Sequence, residues 1–259
     1  MGTDKRERQK ANRQLRLEEM AKTQKQQTTK RRALLIGIAV AAAVILAALF
    51  SILGGNDDGD EAQATTTVSV STAECPPADG SATRTTEFTE APPMCIDASK
   101  TYRAEIETNV GALTIDLDAA AAPVTVNNFV VLARYHFFDG LTCHRAIPGF
   151  MVQCGDPEGT GSGGPGYAID DELPAEGSYK VGSVAMANSG PNTSGSQFFI
   201  VTGDQGVALP PNYSLFGQVT DGLDTTLPDL DALGNADPAA NGVPPVSPIE
   251  ITSVTITES

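Results

Sequence analysis

The run Cys143-His144-Arg145-Ala146-Ile147-Pro148-Gly149-Phe150-Met151-Val152-Gln153-Cys154-Gly155-Asp156 constrains the chain more than any other. Pro148-Gly149 is a turn pair at its centre. Beyond the turn the residues alternate. Phe150, Val152 and Cys154 fall to one side, Met151 and Gln153 to the other, which is the period of a strand. The segment therefore predicts a hairpin with Arg145 on its first strand and Phe150, Met151 and Gln153 on or near its second. Such a hairpin presents a hydrophobic slot beside a guanidinium. It contains no nucleophile–base pair and no metal-ligand spacing.

The surrounding sequence is written in the same alphabet. Residues 102–108 and 112–117 alternate on either side of Asn109-Val110-Gly111, a second hairpin signal. Pro123 opens a helical pattern in which Val126, Phe129, Val130 and Ala133 recur at helix spacing. Residues 178–186, 197–202 and 213–219 are short apolar segments between turn residues, and 249–256 alternates cleanly. A second helix is expected within 222–233, short or starting late because Pro228 is tolerated only in a first turn. Many short strands with two helices predict an all-β barrel. About 160 residues suffice for a substantial core. Gly159, Gly161 and Gly164 fit G-x-G-x-x-G, but Pro165-Gly166 follow where a helix is needed and no Lys-Ser/Thr pair is present. The glycines are read as a tight surface excursion, not a phosphate loop.

Charge divides the chain. Residues 1–32 hold 11 of the 17 Lys+Arg and 4 of the 32 Asp+Glu, a net of +7, which leaves a net of -22 for the rest. Between them, residues 33–53 carry no charge, and only Gly37 and Ser51 interrupt the apolar run. As a helix this segment spans roughly 31 Å, about the hydrocarbon thickness of a bilayer. Lys30-Arg31-Arg32 precede it directly, so the positive-inside rule predicts a cytoplasmic basic tail at 1–32, a transmembrane signal-anchor at 33–53 and an extracytoplasmic body. The tail is expected at anionic lipid and not at nucleic acid. Ala62-Gln63-Ala64 matches a cleavage pattern, and a cleaved signal peptide is the rival reading. The long basic segment and long apolar run favour an uncleaved anchor. Residues 54–100, acidic and then rich in Thr and Pro, read as a flexible linker, leaving 101–259 as the folded domain.

The four cysteines allow three pairings. Cys143 and Cys154 flank the Pro148-Gly149 turn almost symmetrically, so a hairpin sets them opposite each other. Cys75 and Cys95 would then close a loop in the linker. Disulfides persist in an exported domain. Four free thiols are the alternative.

Two blocks in register carry a family resemblance. His144 to Gln153 resembles the signature of the cyclophilins, the peptidyl-prolyl cis-trans isomerases, and Ser183-Val184-Ala185-Met186-Ala187-Asn188-Ser189-Gly190-Pro191-Asn192-Thr193-Ser194-Gly195-Ser196-Gln197-Phe198-Phe199-Ile200 resembles a second block of the same family. With the apolar span, the whole looks like a bacterial membrane-anchored form. The resemblance implies an eight-stranded antiparallel barrel with a helix over each end, and an isomerase of X-Pro bonds needing no cofactor. It implies Arg145 as catalytic donor and Gln153 as the group orienting it. Phe150, Met151, Phe199 and Leu209 would wall a proline pocket, Ala187 and Asn188 would bind peptide backbone, and Gln197 would line the groove. Two positions depart from the family pattern. Ala208 stands where many members have Trp, and Tyr213 stands where many have His. The expected partners are proline-containing polypeptides and, through one helix, the membrane. No oligomeric state follows. A tethered peptide-binding or chaperone module with little turnover is the alternative. A serine hydrolase is poorly supported, since His136 and His144 are the sole histidines and no G-x-S-x-G is present. His144 reads as a satisfied structural histidine.

Overall fold

The computed structural model describes residues 74–259. The expected basic tail, the apolar span at 33–53 and the linker as far as residue 73 lie outside the described residues. Among those described, no helix is long and apolar enough to cross a membrane.

Eight strands follow one another: β1 (Tyr102–Thr108), β2 (Ala112–Leu117), β3 (Arg145–Ile147), β4 (Met151–Cys154), β5 (Ser183–Met186), β6 (Phe198–Val201), β7 (Leu215–Asp221) and β8 (Ile251–Glu258). All pair antiparallel in the order β3-β4-β6-β5-β7-β2-β1-β8. The two edges, β3 and β8, do not pair with each other. The segment leading into β3 instead meets the start of β8. Gly140 N–H donates to Ile251 O, Ile251 N–H to Leu141 O and Cys143 N–H to Ile249 O, each at 2.8 Å. The sheet thus curls into a half-barrel drawn together at one end. The outer edge of β3 is covered by a loop, with Ala146 N–H donating to Gly242 O (3.0 Å) and Asn235 N–H to Ala146 O (2.9 Å). Covering an edge in this way removes a template for pairing with other chains.

Strand alternation divides the apolar residues between two clusters. Ile106, Leu113, Ile115, Val152, Val184, Phe198, Ile200 and Phe216 point into the barrel. Helix α1 (Pro123–Arg134) starts at Pro123, as the sequence predicts, and buries Val126, Phe129, Val130 and Ala133 in the same core. Phe129 stacks on Phe138 at 5.0 Å and meets Phe198 edge-on at 5.5 Å. The helix lacks a side-chain cap of its own. Glu172, 47 residues on, accepts from Val124 N–H and Thr125 N–H and satisfies its first turn. Helix α3 (Thr226–Ala232) is short, with Pro228 in its first turn, and buries Leu227 and Leu230. A four-residue helix, α2 (Asp204–Val207), was not expected. The second cluster, centred on Met151, Tyr179, Ala185, Phe199 and Val201, lies on the other face of β4, β5 and β6.

Three expectations need correcting. Residues 74–100, read as flexible linker, lie against the barrel, with Phe88 and Ile96 buried in its core. Their backbone is held there by Asn127 of α1, which accepts from Cys95 N–H (2.7 Å) and Ile96 N–H (3.2 Å) and donates to Pro93 O (2.9 Å). The strands expected at 178–186 and 213–219 begin later, at Ser183 and Leu215. The hydroxyl of Tyr179 donates to Tyr213 O and accepts from Tyr213 N–H, which keeps both residues out of the ladder. Phe150 does not alternate with Val152 and Cys154. It belongs to the turn, where Phe150 N–H closes on Ile147 O at 3.1 Å and Gly149 has φ +70°. Pro then Gly with positive φ is the pattern of a type II turn, and it rotates Phe150 onto the same side as Met151.

Candidate active site

The β3–β4 hairpin places Arg145 directly opposite Gln153. Arg145 Nη1 donates to Gln153 Oε1 at 3.3 Å, Gln153 Nε2 to Gln197 Oε1 at 2.8 Å, and Gln197 Nε2 to Gly163 O at 2.9 Å. The two amide orientations follow from this relay, because each glutamine must present its oxygen to the donor before it. Two further bonds hold the guanidinium. Nε donates to Asn241 O at 3.0 Å and Nη2 to Asn241 Oδ1 at 2.9 Å. Arg145 is half-buried, and burial lowers its pKa from the ordinary value. A guanidinium starts so far above neutrality that it stays charged.

Beside Arg145 opens a cavity of about 180 Å³. Its wall contains nine of the ten residues that the sequence singled out. Met151 and Phe199 are neighbours on the outer face of β4 and β6, Phe150 enters from the turn, and Leu209 and Tyr213 come from the segment after α2. Ala187 and Asn188, just past β5, complete it with Arg145 and Gln153. Gln197 is the exception. It lines an adjoining cavity of about 250 Å³ that shares Gln153, Ala187 and Asn188 with the first. Tyr213 packs edge-on against Phe199, ring centroids 5.3 Å apart. Ala208 is exposed and does not line the slot.

The turn that carries Phe150 is gripped from two sides. Gly149 N–H donates to Asp231 Oδ1 of α3 at 2.8 Å, and Gln205 N–H of α2 donates to Gly149 O at 3.2 Å. A Cβ on Gly203 would stand 2.6 Å from Gly149 O, and one on Gly206 2.5 Å from Phe150 O. Only glycine lets α2 approach the turn so closely.

The G-x-G-x-x-G loop forms a cradle, and its occupant is a carboxylate of this chain. Asp156, buried, accepts from the N–H groups of Glu158, Gly161 and Gly163. Burial alone would raise its pKa, but these donors outweigh that and hold the carboxyl below its usual range. The loop amides are thus occupied, and the phosphate-loop reading is excluded on structural grounds as well. His144 lies under the same loop. It is buried and, contrary to the expectation of a satisfied histidine, its Nδ1 has no hydrogen-bond partner among the described residues. Desolvation pushes its pKa down. No cluster of His, Cys, Asp and Glu among the described residues could hold a metal ion.

Both expected disulfides are formed, Cys75–Cys95 and Cys143–Cys154. The second bridges the ends of the β3–β4 hairpin, flanking Arg145 and Gln153. Sequence reasoning missed Asn241. Asn241-Gly242 is a turn pair, and Asn241 has φ +51°, but nothing in the sequence connects it with an arginine 96 residues earlier.

Residues 103–256 match the family described as cyclophilin type peptidyl-prolyl cis-trans isomerase/CLD. A probable peptidyl-prolyl cis-trans isomerase B of Mycobacterium tuberculosis is 43% identical over 163 residues, covering 57% of this chain and 52% of that protein. The peptidyl-prolyl cis-trans isomerase-like 3 of Homo sapiens is 41% identical over 155 residues, covering 58% of this chain and 93% of that one. The chain spans about half the length of the mycobacterial relatives it matches. A cyclophilin type isomerase crystal structure from Cryptosporidium parvum has a TM-score of 0.55 at 31% identity, over 61% of this chain and 99% of that one. The same protein in the presence of the dipeptide Ala-Pro gives 0.54 at 32% identity, over the same shares. With the family match extending over more than half of the sequence, the chain belongs to the cyclophilin-type peptidyl-prolyl cis-trans isomerase family.

Proposed function

We propose that the chain is a peptidyl-prolyl cis-trans isomerase that acts on X-Pro bonds of exported or cell-envelope proteins and assists their folding. The observation that carries this reading is the guanidinium of Arg145, held by Gln153 and Asn241 beside a cavity that Phe150, Met151, Phe199 and Leu209 help to line. A peptide C–N bond resists rotation with a barrier of about 18–20 kcal/mol because of its partial double-bond character. In the twisted transition state that resonance is lost. The proline nitrogen becomes pyramidal and accepts a hydrogen bond that neither planar ground state accepts. A donor fixed at that place binds the transition state selectively, which is the requirement for catalysis. With the proline ring among Phe150, Met151, Phe199 and Leu209, an N–H of Arg145 is the donor and Gln153 fixes its plane. Lowering the barrier by about 7 kcal/mol corresponds to on the order of 10⁵-fold in rate. No bond breaks, so neither nucleophile nor cofactor takes part. Ala187, Asn188 and Gln197 bind the flanking peptide, and Tyr213 closes the slot against Phe199.

The same reading makes residues 33–53 a membrane anchor, with residues 1–32 in the cytoplasm and the isomerase outside. Two disulfides support an oxidising compartment. The test of activity is NMR exchange spectroscopy of an Ala-Pro peptide with the purified full-length chain. Exchange no faster than in buffer would refute the enzyme and leave the peptide-binding module. Protease treatment of sealed cells tests the topology, and survival of the barrel would refute it.

A further inference from the structure

We infer that the segment from Cys75 to Cys95 is a strap that sets the far wall of the substrate groove, with Phe88 as its positioning residue. The inference rests on the isomerase reading above and goes beyond it, since the strap precedes the matched residues 103–256.

Phe88 is the strap's one aromatic residue and is 3% exposed, whereas Met94, its other large apolar residue, is 54% exposed. The Phe88 ring meets Tyr135 of the α1 C-cap at 5.3 Å and Tyr167 at 6.3 Å, both edge-on. Its backbone grips the end of the Gly-rich loop. Phe88 N–H donates to Pro165 O at 2.8 Å, and a Cβ on Gly166 would stand 2.2 Å from Phe88 O. Gly166, at φ +101°, therefore permits a contact that any side chain would prevent. Independent bonds hold the stretch before Phe88 to the end of α1 and the turn that follows it. Thr85 N–H donates to Tyr135 O, His136 Nε2 lies 2.8 Å from Gly80 O, and Arg84 donates to Asp139 O. The disulfide closes the strap on itself.

What the strap grips is a wall of the second cavity. Gly163, Gly164, Pro165 and Tyr167 line that space, and Gly195 faces them. Tyr167 OH donates to Asn128 Oδ1, and Asn128 Nδ2 donates to Gly195 O, so both sides of the wall are referred to α1. Because this cavity and the proline slot share Gln153, Ala187 and Asn188, a polypeptide with its proline in the slot runs on into the second cavity. A blocked dipeptide is too short to do so. Removing the Phe88 ring leaves the slot and Arg145 untouched but frees the Pro165–Tyr167 wall. Its effect must fall on the binding of extended substrates.

The experiment compares two substrates on the full-length chain by NMR exchange, a blocked Ala-Pro dipeptide and a heptapeptide with Ala-Pro at its centre. Phe88→Ala is expected to raise KM for the heptapeptide about five- to tenfold, with kcat within twofold, and to leave both constants for the dipeptide within twofold. Phe88→Leu, which refills the site, is expected to restore the heptapeptide KM to within twofold of wild type. The Cys75→Ser, Cys95→Ser double variant keeps Phe88 and loosens the strap. It is expected to raise the same KM about threefold, and it decides the matter if Phe88→Ala does not fold. Equal losses on both substrates, or no change on either, would overturn the strap's role while leaving the isomerase intact. Wild type inactive on both substrates would instead overturn the isomerase reading.

Discussion

Arg145 and Gln153 stand opposite each other across the β3–β4 ladder, and the guanidinium donates to the amide oxygen at 3.3 Å. A strand pair joined by a type II turn and stapled by Cys143–Cys154 leaves this register little freedom. Arg145→Ala is therefore expected to keep the fold and lose activity about 10²–10³-fold, the usual cost of deleting one preorganised transition-state donor. The loss should appear in kcat, because the donor is needed only by the twisted amide. Exchange spectroscopy beside a thermal melt checks it. Wild-type turnover in a folded variant would remove Arg145 from the mechanism.

Asn241 contributes two of the three acceptors on that guanidinium. Asn241→Gly keeps the carbonyl and suits φ +51°, so it isolates the side-chain oxygen. A fall in kcat of about three- to tenfold is expected, with KM within twofold. This size corresponds to about 1 kcal/mol, the net worth of one ordinary hydrogen bond. A pure KM effect would mean that Asn241 holds substrate, not Arg145.

The difference between Gln153 and Asn241 shows what a sequence can display. The hairpin and the helix at Pro123 are legible because alternation, turn pairs and helix spacing act between near neighbours in the chain, whereas the distant walls of the slot, Phe199, Leu209 and Tyr213, follow only from the family resemblance. Asn241 and Phe88 are not legible. Each reaches its partner only after folding, across 96 residues in the first case and from a Thr- and Pro-rich stretch without periodicity in the second. Phe150 was placed on the wrong face because alternation was extended one residue back into the turn. The four residues of α2 are too few to carry a period, although they hold that turn in place.

Activity is expected to be flat between about pH 6.5 and 9, since Arg145 does not titrate there. His144 is the group to watch below that range. Desolvation depresses its folded pKa below the ordinary 6.5. Its contribution to stability is present above the unfolded pKa and is lost as the pH falls and the buried ring must charge. Loss of activity on acidification should therefore track loss of fold, measured by circular dichroism. A step near pH 7 in a fully folded protein would implicate a histidine in the chemistry.

His136 has the opposite sign. Its Nε2 faces Gly80 O at 2.8 Å and its Nδ1 faces Asp139 Oδ2 at 2.9 Å. Both partners are acceptors, so only the imidazolium satisfies both, and its pKa is raised first by Gly80 and then by Asp139. The stabilisation is fully present below the unfolded value near 6.5 and is lost as pH rises through the raised folded value. His136→Gln should thus lower Tm more at pH 6 than at pH 8.5. An equal loss at both would show that the ring acts by packing alone.

The last prediction concerns Ala208. In the family resemblance, the Trp at this place gives cyclosporin-type inhibitors an indole N–H and a broad apolar wall. Here the chain has no Trp at all, and Ala208 is an exposed methyl at the C-cap of α2, so no neighbour replaces the ring. Losing one hydrogen bond and an aromatic contact costs about 1–3 kcal/mol, or roughly 5- to 150-fold in affinity. Wild type should therefore bind such inhibitors weakly and still turn over substrate, since the slot is walled by Phe150, Met151, Phe199 and Leu209. Ala208→Trp should gain most of that factor with kcat within about twofold, because position 208 stands beside the slot and not in it. Inhibitor titration of both proteins in one exchange assay decides the matter. Nanomolar inhibition of wild type, or no gain in the variant, would mean that the segment between α2 and β7 meets ligands differently from its relatives, and would reopen the place given to Tyr213.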